Sequence, residues 1–294
     1  MLTRRNFLSK TLGAAAACAG PTDRLLSAIG EQAWPRPIGL EIYTIRDLLI
    51  KDPLAVLRHV AAIGYKEMEI APFAMPTSLK PELRAAGIST PSGYFAMPAK
   101  LDDWKKSMDV ARGYGVRYAV VGDNRGLDAD GWKRQADLFN QCGTYSLQAG
   151  IQFCYHAHFR EFEPIDGTTG YDILLAHCPP KLLKMEMDVF WAIYAGVDPV
   201  RYFHLHTGRF PLLHVKDLST GYAVNPHESP PENGPNPFAP VGQGKIEWPR
   251  IFAHVREAGT QHIFVEQDRC NDSPLEAIKT SFDYLKHLQM TGAY

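Results

Sequence analysis

The stretch "IGLEIYTI" at residues 38–45, followed by "DPLAVLRHVAAIG" at residues 52–64, contains the pattern that decides the fold. Its first part is rich in β-branched and aromatic residues, which strands favour. In its second part, apolar residues recur at spacings of three and four, which predicts an amphipathic helix. Gly64 is a natural end for that helix, because glycine readily adopts the left-handed conformation found after helix C-termini. The stretch therefore predicts one strand followed by one helix.

The same two sequence patterns, one typical of a strand and one of an amphipathic helix, alternate along the rest of the chain. Further strands are predicted at 65–72, 88–95, 116–123, 151–159, 182–191, 210–218 and 262–268, each followed by a helical stretch. Strands that alternate with helices form parallel sheets. Eight such units over residues 38–290 predict an α/β fold, a closed (β/α)8 TIM barrel, for which ~250 residues is typical. The alternative is a doubly wound open sheet, which normally carries a glycine-rich turn after its first strand; "YTIRDLLIKD" (43–52) has none.

The N-terminal segment "TRRNFLSKTLGAAAACAG" (3–20) resembles a twin-arginine export signal. Paired arginines, Arg4 and Arg5, precede a weakly apolar run rich in alanine, leucine and glycine. We therefore predict that residues 1–34 are a signal and linker, and that the protein is periplasmic or otherwise exported. The alternative is an unstructured basic N-terminus.

The cysteines do not indicate a disulfide framework. "AAAC", ending at Cys18, resembles a lipoprotein box but lacks the leucine expected three residues before the cysteine, so we expect no lipid anchor. The other four are far apart and form no zinc-finger spacing: Cys142, Cys154, Cys178 and Cys270. We predict that these four are mostly buried apolar residues.

Charge and hydropathy exclude several classes of partner. The chain has 31 lysines and arginines against 32 aspartates and glutamates, which gives a formal net charge of −1. This balance offers no electrostatic basis for binding nucleic acid. The chain contains no run of ~18 apolar residues, so we predict no transmembrane helix. Hydrophobic residues make up 45% of the chain, which is ample for a large core.

Residues 219–245 form a long segment rich in proline, glycine and asparagine. It is too long for an ordinary connection in a compact domain. In a barrel it follows the seventh strand, on the face where active sites form. We therefore predict a lid or substrate-binding loop.

Polar residues cluster at the ends of the predicted strands. In a TIM barrel, side chains at the C-terminal strand ends converge on one site. The residues at these ends are Glu69, His156, His158, Glu186, Asp188, His214, Lys216, Asp217, Glu266, Gln267 and Asp268. Gathering so many carboxylates costs several kcal/mol unless a cation lies among them. A divalent metal with mixed nitrogen and oxygen ligands meets that requirement.

Four segments together resemble one superfamily. They are "MEMDVFW" (185–191), "LLHVKD" (212–217), "VGQGKIEW" (241–248) and "FVEQD" (264–268). They resemble the sugar phosphate isomerase/epimerase superfamily, the xylose-isomerase-like barrels that include endonuclease-IV-type enzymes, tagatose epimerases and dehydratases of keto sugars. The resemblance covers nearly all of residues 38–290.

The resemblance implies one divalent metal ion, manganese first, with magnesium, cobalt or zinc as alternatives. Asp188, His214 and Glu266 match three of the ligand positions of the family. At the fourth position the epimerases carry a glutamate on strand five, where this chain has His156. We predict His156 as the fourth ligand, with Glu186 or Glu161 as alternatives. A histidine that is only hydrogen-bonded in the core is the other interpretation of His156.

A subgroup of the superfamily resembles this chain more specifically, through "YHAH" (155–158), "DVFW" (188–191) and "TGRFPLLHVKD" (207–217). That subgroup is often exported and is associated with 3-keto sugars and 3-keto-glycosides, as lyase or hydrolase. The resemblance implies proton abstraction next to a carbonyl and β-elimination of a 3-keto-glycoside, with a partner sugar oxidoreductase that makes the keto group. The alternatives are a ketose isomerase or epimerase, and a non-catalytic sugar-binding barrel. A DNA phosphodiesterase does not fit the balanced charge.

Roles for the remaining strand-end residues follow from that chemistry. The predicted catalytic residues are Glu186, His158 and Lys216. The predicted substrate-binding residues are Glu69, Trp191 and Gln267. For each of these side chains, an ion pair, a hydrogen bond or packing in the barrel is the alternative. Arg209 is predicted to be structural, and His204 and His206 are predicted to be solvated on a helix.

Overall fold

The computed structural model describes residues 37–73, 75, 79–122 and 126–292. Within these residues, eight parallel strands close into a barrel in sequence order. The first strand pairs with both the second and the last, with Gly39 opposite Glu67 on one side and Phe264 on the other. The predicted TIM barrel is confirmed. The predicted signal at 1–34 lies outside the described residues, and the predicted domain limits stay predictions.

The strands are short and well separated. The barrel strands, in chain order, are β1 (Ile38–Glu41), β2 (Glu67–Ile70), β3 (Ser89–Phe95), β4 (Tyr118–Gly122), β5 (Gln152–His156), β6 (Lys184–Asp188), β7 (Leu212–Val215) and β8 (His262–Val265). Two antiparallel ribbons of two-residue strands lie outside the barrel. They pair Pro164–Ile165 with Thr168–Thr169, and Asp217–Leu218 with Phe238–Ala239.

Helices fill the connections between the strands. They are α1 (Arg46–Leu49), α2 (Pro53–Ile63), α3 (Lys80–Ala86), α4 (Leu101–Tyr114), α5 (Ala129–Gln148), α6 (Gly170–His177), α7 (Val189–Tyr194), α8 (Pro199–Leu205), α9 (Trp248–Phe252), α10 (Val255–Ala258) and α11 (Pro274–Thr291). Two 3-10 turns span Ile42–Ile45 and Arg160–Phe162. None of the described helices is long and apolar enough to cross a membrane.

Helix α2 shows how the sequence sets these boundaries. The Asp52 carboxylate accepts a hydrogen bond from the Ala55 N–H (3.0 Å), which satisfies one of the free donors at the helix start. Gly64 ends the helix, as predicted, with φ +130°. A β carbon at Gly64 would overlap the Phe282 ring, so this end also requires close packing against α11.

The centre of the barrel is filled by apolar side chains. Val120, Cys154, Leu212 and Phe264 are fully buried and pack together from four different strands. This layer closes the barrel interior, as in packed TIM barrels. Cys154 thus behaves as a small apolar residue, as predicted, and Cys142 and Cys178 are also buried as free thiols, whereas Cys270 is only partly buried.

All eight predicted strands are shorter in the structure than in the sequence-based prediction, and two of these differences bear on the site. The first ends at Glu41 because the chain turns there into the 3-10 helix Ile42–Ile45. The sixth ends at Asp188, whose carboxylate accepts from the Trp191 N–H (3.0 Å) and so begins α7. Both changes place a carboxylate at the end of its strand.

Asp217 holds the end of the long segment 219–245. Its carboxylate accepts from five N–H groups at 2.8–3.2 Å, which come from Leu218, Gly242, Gly244, Ile246 and the Trp248 indole. This explains the motif "VGQGKIEW", since a β carbon at Gly244 would overlap Asp217. Further along, Arg269 donates to the Pro231 and Pro235 carbonyls. The segment is therefore pinned to the barrel, and its predicted lid role stays a prediction.

Candidate active site at the barrel mouth

A cavity of about 220 Å³ opens at the C-terminal ends of the strands. Drug-sized ligands occupy pockets of ~300–1,000 Å³, so this one suits a single sugar ring. The cavity is lined by Glu41, Tyr43, Ala71, Phe73, Tyr94, His156, His158, His214, Lys216, Glu266 and Asp268. Most of these side chains carry a nitrogen or oxygen that can contact a polar ligand.

His156 ends β5 and lies in the cavity wall, buried to 2% exposure. Its Nδ1 is 3.0 Å from Glu186 Oε2, and its Nε2 is 3.7 Å from Asp188 Oδ2. Burial lowers the pKa of His156 well below its usual value, and the nearby His214 adds to this effect. A neutral imidazole beside carboxylates is the form that binds a metal.

His214 occupies the centre of the polar cluster. Its Nε2 is 2.7 Å from Glu69 Oε2 and 3.3 Å from Glu186 Oε2. Its Nδ1 is 2.8 Å from Glu266 Oε2. Burial opposes protonation, but the carboxylates of Glu186 and Glu266 raise the pKa of His214 well above its usual value. The surroundings of His214 therefore strongly favour a positive charge at this point.

Two carboxylate oxygens in the cluster are buried without a hydrogen bond, Glu186 Oε1 and Asp188 Oδ2. Asp188 Oδ2 lies 3.2 Å from Lys216 Nζ, close enough for attraction but without hydrogen-bond geometry. Burial raises the pKa of both carboxyls, and the nearby Glu69 raises that of Glu186 further. An unsatisfied buried carboxylate oxygen is costly unless a cation or donor contacts it.

These side chains fit a divalent metal ion. His156, Glu186 and His214 form one group whose ligand atoms lie within 4.8 Å of one another, and Asp188, His214 and Glu266 form another. The two groups share His214. All four predicted ligands therefore lie in one cluster, which also contains Glu186, the alternative for the fourth ligand. A site with both imidazole and carboxylate donors suits manganese, zinc or cobalt better than magnesium, which prefers sites made only of oxygen ligands. Which four residues bind stays a prediction.

Glu161, the second alternative for the fourth ligand, is placed differently. Its Oε1 accepts from the Tyr155 hydroxyl (2.8 Å) and its Oε2 accepts from the His158 N–H (3.1 Å). It belongs to neither group of potential ligands in the described part of the chain. Its contacts instead fix the turn that follows β5 and with it the position of His158.

Lys216 is the buried cation of the cavity wall, at 1% exposure. Its Nζ lies 2.7 Å from Glu266 Oε2, 3.0 Å from Asp268 Oδ2 and 3.2 Å from Asp188 Oδ2. Burial opposes the charge, but Asp188, Asp268 and Glu266 raise the pKa of Lys216 well above its usual value. Lys216 is therefore a permanent ammonium group at the cavity, and the same charge, with that of His214, lowers the pKa of Glu266.

His158 lies on the same side of the cavity as His156, just past the end of β5. The two rings are 4.9 Å apart, and the Trp191 ring lies 5.6 Å from His158. His158 Nδ1 is buried and has no hydrogen bond. Burial, with the positive charge of Lys216, lowers the pKa of His158 to about 3, so its imidazole is neutral at physiological pH.

The predicted substrate-binding residues lie behind the cavity wall. Glu69 is fully buried and accepts hydrogen bonds from Ser92 and His214. Trp191 packs between aromatic neighbours and the His158 ring. Gln267 points away because alternation turns it to the other side from Glu266, and its amide donates to the Arg269 carbonyl (3.1 Å). None of the three lines the described cavity.

Glu186, predicted as catalytic, also lies beneath the cavity wall. It is fully buried, and one of its oxygens contacts both His156 and His214. It sits two residues before the end of β6, so its side chain points into the barrel one layer below Asp188. This position suits a ligand or a support for the two imidazoles better than a group that meets substrate.

Four polar cavity residues were given no role from the sequence: Glu41, Tyr43, Tyr94 and Asp268. Glu41 accepts from the Tyr43 N–H, and burial, with Glu266 and Glu69, raises the pKa of Glu41 well above its usual value. Burial, with the negative charge of Glu266, raises the pKa of Asp268 to about 7 against the opposing effect of Lys216, although a quarter of its side chain is exposed at the rim. Side chains two residues apart in an extended segment point to the same face, so the position of Asp268 two residues after Glu266 was the sequence signal for it.

Comparison with known proteins agrees with this architecture. The sequence matches the family described as xylose isomerase-like TIM barrel over residues 57–288. It is 22% identical over 267 residues to an inosose dehydratase from Geobacillus kaustophilus, an alignment that covers 79% of this chain and 86% of that protein.

Two solved structures share the fold. A sugar phosphate isomerase/epimerase from Parabacteroides distasonis is 24% identical and has a TM-score of 0.73, covering 88% of this chain and 96% of that one. A probable 3-DHS dehydratase involved in petrobactin synthesis, from Bacillus anthracis, is 13% identical and has a TM-score of 0.68, covering 85% and 99%. At these identities the structures show the fold alone.

Proposed function

The chain belongs to the xylose isomerase-like TIM barrel family, and from that premise we propose that it is a metal-dependent, carbohydrate-acting lyase. In this proposal it removes a proton next to the carbonyl of a keto sugar and expels a group from the β carbon. The similarity to an inosose dehydratase supports this class of reaction, since a dehydratase eliminates water. A 3-keto-glycoside, from which the expelled group is the aglycone, is the proposed substrate.

One observation carries the proposal: a cluster of potential metal ligands borders a small cavity whose wall also holds a fixed cation and a neutral imidazole. The ligand cluster includes two buried oxygens without hydrogen bonds, on Glu186 and Asp188. Lys216 and His158 line the same cavity. Proton removal next to a ketone needs these three components, which are an electrophile for the carbonyl, a positive charge for the enolate and a base for the proton.

The metal would be held by His156, Asp188, His214 and Glu266, with Glu186 against the two imidazoles. When bound, it would supply a Lewis acid that polarises the carbonyl oxygen of the substrate. The ammonium group of Lys216 is fixed by three carboxylates. In the proposed reaction it stabilises negative charge that develops on the substrate oxygens, and it does so without reorganising.

His158 is the proposed base. Its imidazole is neutral, lines the cavity and lies beside the Trp191 ring, and the backbone N–H of His158 donates a hydrogen bond to Glu161 that fixes the residue in place. Asp268 accepts a hydrogen bond from Lys216 at the rim of the same cavity. We assign Asp268 to protonate the leaving group, because β-elimination needs an acid as well as a base. Glu186 is reassigned from base to a support for the His156 and His214 imidazoles, since it contacts both and does not line the cavity.

The proposed biological setting follows from the substrate. The twin-arginine motif at Arg4 and Arg5 supports export to the periplasm, where glycosides occur and phosphorylated sugars do not. A keto group on a glycoside must be made by oxidation, so the proposal requires a partner sugar oxidoreductase. Replacing Arg4 and Arg5 with lysines should retain the protein in the cytoplasm, which cell fractionation would show.

The test is an incubation of the purified, manganese-loaded chain with a 3-keto-glucoside in deuterated water, followed by NMR. The proposal predicts release of the aglycone with loss of the C2 proton from the unsaturated sugar product, and deuterium at C2 of unreacted substrate wherever the enolate is reprotonated. Deuterium exchange with an inverted centre and no release would identify an isomerase or epimerase instead. No exchange and no release would refute the proposed substrate.

Two controls make the test specific. The corresponding glucoside without the keto group should be inert, because its C2 proton is not acidic; cleavage of that glucoside would contradict elimination. His158→Ala should lower kcat by about 10²–10⁴-fold, the usual contribution of a positioned general base. His227→Ala is the matched control, because His227 lies in the long segment and does not line the cavity.

A further inference from the structure

A second cluster of potential metal ligands lies in the outer helical layer, apart from the residues of the barrel mouth. It consists of His204 on α8, His254 at the start of α10, and Glu257 within α10. Their ligand atoms lie within 4.8 Å of one another, and all three side chains are partly exposed to solvent. The sequence predicted only that His204 is solvated, but the structure gives it two neighbours from another helix.

The contacts within this cluster exceed those of a simple ion pair. His204 Nδ1 lies 2.7 Å from Glu257 Oε2, which already satisfies that carboxylate oxygen. His254 Nδ1 points at the same oxygen from 3.6 Å. The two imidazole rings are 4.8 Å apart and nearly perpendicular. If both rings were protonated, two like charges would be held side by side, whereas one divalent cation could accept a lone pair from each.

The separations match a coordination sphere. Zinc binds imidazole nitrogen and carboxylate oxygen at ~2.0–2.2 Å, which places neighbouring ligands of a tetrahedron roughly 3.4 Å apart. The observed nitrogen-to-oxygen separations, 2.7 Å and 3.6 Å, lie on either side of that value. Small side-chain rotations would equalise them, and the exposure of the cluster leaves room for water as a fourth ligand.

We propose that His204, His254 and Glu257 form a second metal site, which takes a borderline transition metal ion such as Zn²⁺ or Ni²⁺. Two nitrogen donors select these ions against Mg²⁺ and Ca²⁺, which prefer oxygen ligands. The ion links α8, which follows β6, to α10, which precedes β8. Its effect is therefore to tie together two helices of the outer layer. This site does not depend on the proposed function of the barrel mouth.

The test is a calorimetric titration of Zn²⁺ into the metal-free full-length chain. The wild type should bind two equivalents, and the variant with His204→Ala and His254→Ala should bind one. The matched control replaces His59 and His287, exposed histidines on α2 and α11, with alanine and should still bind two. Because all four histidines are exposed or partly exposed, the variants should remain folded, which circular dichroism would verify.

A second variant separates the two sites. Asp188→Asn should lose the equivalent of Zn²⁺ that binds at the barrel mouth and keep the equivalent that binds at His204, His254 and Glu257. When Glu257→Gln is added, the Zn²⁺ affinity of this remaining site should fall at least tenfold. Zn²⁺ should raise the melting temperature of Asp188→Asn, and this rise should disappear when His204→Ala and His254→Ala are also present. Undiminished binding in those combined variants, or a single equivalent bound by wild type and lost with Asp188→Asn, would overturn the proposal.

Discussion

The two ends of the barrel each contain a buried histidine paired with glutamate, on neighbouring strands. At the C-terminal mouth, His214 on β7 meets Glu69 and Glu266 at 2.7 and 2.8 Å. At the opposite end, His262 on β8 meets Glu67 at 2.7 Å and Arg117 at 3.1 Å. A histidine–glutamate pair by itself therefore does not distinguish a functional site from a structural one.

The difference lies in what surrounds each pair. His262 has one carboxylate on Nδ1 and one guanidinium on Nε2, so its two ring nitrogens are both satisfied and the charges balance. His214 lies among several carboxylates, two of which have oxygens without hydrogen bonds, beside an open cavity. The paired groups around His262 contribute stability, whereas the cluster around His214 has oxygens without hydrogen bonds that a ligand can contact.

The largest expected effect comes from changing one charge at the mouth. Asp188→Asn keeps the cap on the Trp191 N–H but removes a proposed ligand. Turnover should fall by far more than the ~10–100-fold that loss of a partner behind a metal ligand costs. Without metal, the variant should be at least as stable as wild type, because a buried carboxylate without a full set of partners has been neutralised. Steady-state kinetics and thermal unfolding would measure the two effects.

Lys216→Met tests whether the fixed ammonium group acts on the reaction. Its loss should lower kcat by about 10²–10³-fold, as does the removal of a donor that stabilises a developing oxyanion. KM should change less than kcat, because the charge acts mainly in the transition state. Lys245→Met, at an exposed lysine of the long segment, is the matched control. An equal loss in both variants would contradict the assigned role.

Removal of the metal by a chelator should lower the melting temperature of the wild type. A ligand at 100 times its Kd stabilises the folded state by about 2.7 kcal/mol, and chelation removes that contribution. The same treatment should shift the melting temperature of Asp188→Asn much less. Differential scanning calorimetry would compare the two proteins, both of which would also carry His204→Ala and His254→Ala so that only the barrel mouth can bind metal. Equal shifts in both proteins would place the metal away from the mouth.

The smallest effect is expected at the other end of the barrel. Glu67→Met leaves the His262 Nδ1–H buried without an acceptor, which should cost about 1–3 kcal/mol of stability. Turnover at saturating substrate should be unchanged, because neither residue lines the cavity. Urea unfolding and kinetics measure the two quantities, and a large loss of kcat would erase the distinction between the two ends.

The fold was predictable because its signals are local. Apolar periodicity and turn residues mark each strand and helix, and the alternation of the two requires a parallel sheet. The convergence of His156, Asp188, His214 and Glu266 follows from the same pattern, since parallel strands end at one face of the barrel. That part of the candidate site needs only the order of the elements.

The remaining parts depend on where each strand ends and which way each side chain points. With the first strand extended to residue 45, Glu41 was a mid-strand residue, whereas the 3-10 turn makes it the last one. Gln267 was given a role in substrate binding, but it is Asp268 that shares a face with Glu266. The pairing of His204 with Glu257 joins helices from different βα units, which no local pattern records.

Anomalous diffraction from crystals grown with Mn²⁺ would test the central claim most directly. The account predicts a manganese peak at the barrel mouth, coordinated by His156, Asp188, His214 and Glu266, with Glu186 in or against the coordination sphere. The hydrogen bonds that now join His214 to Glu69 and Glu266 would be rearranged. A fully loaded crystal with no peak there, and with His214 still bridging those two glutamates, would contradict the account.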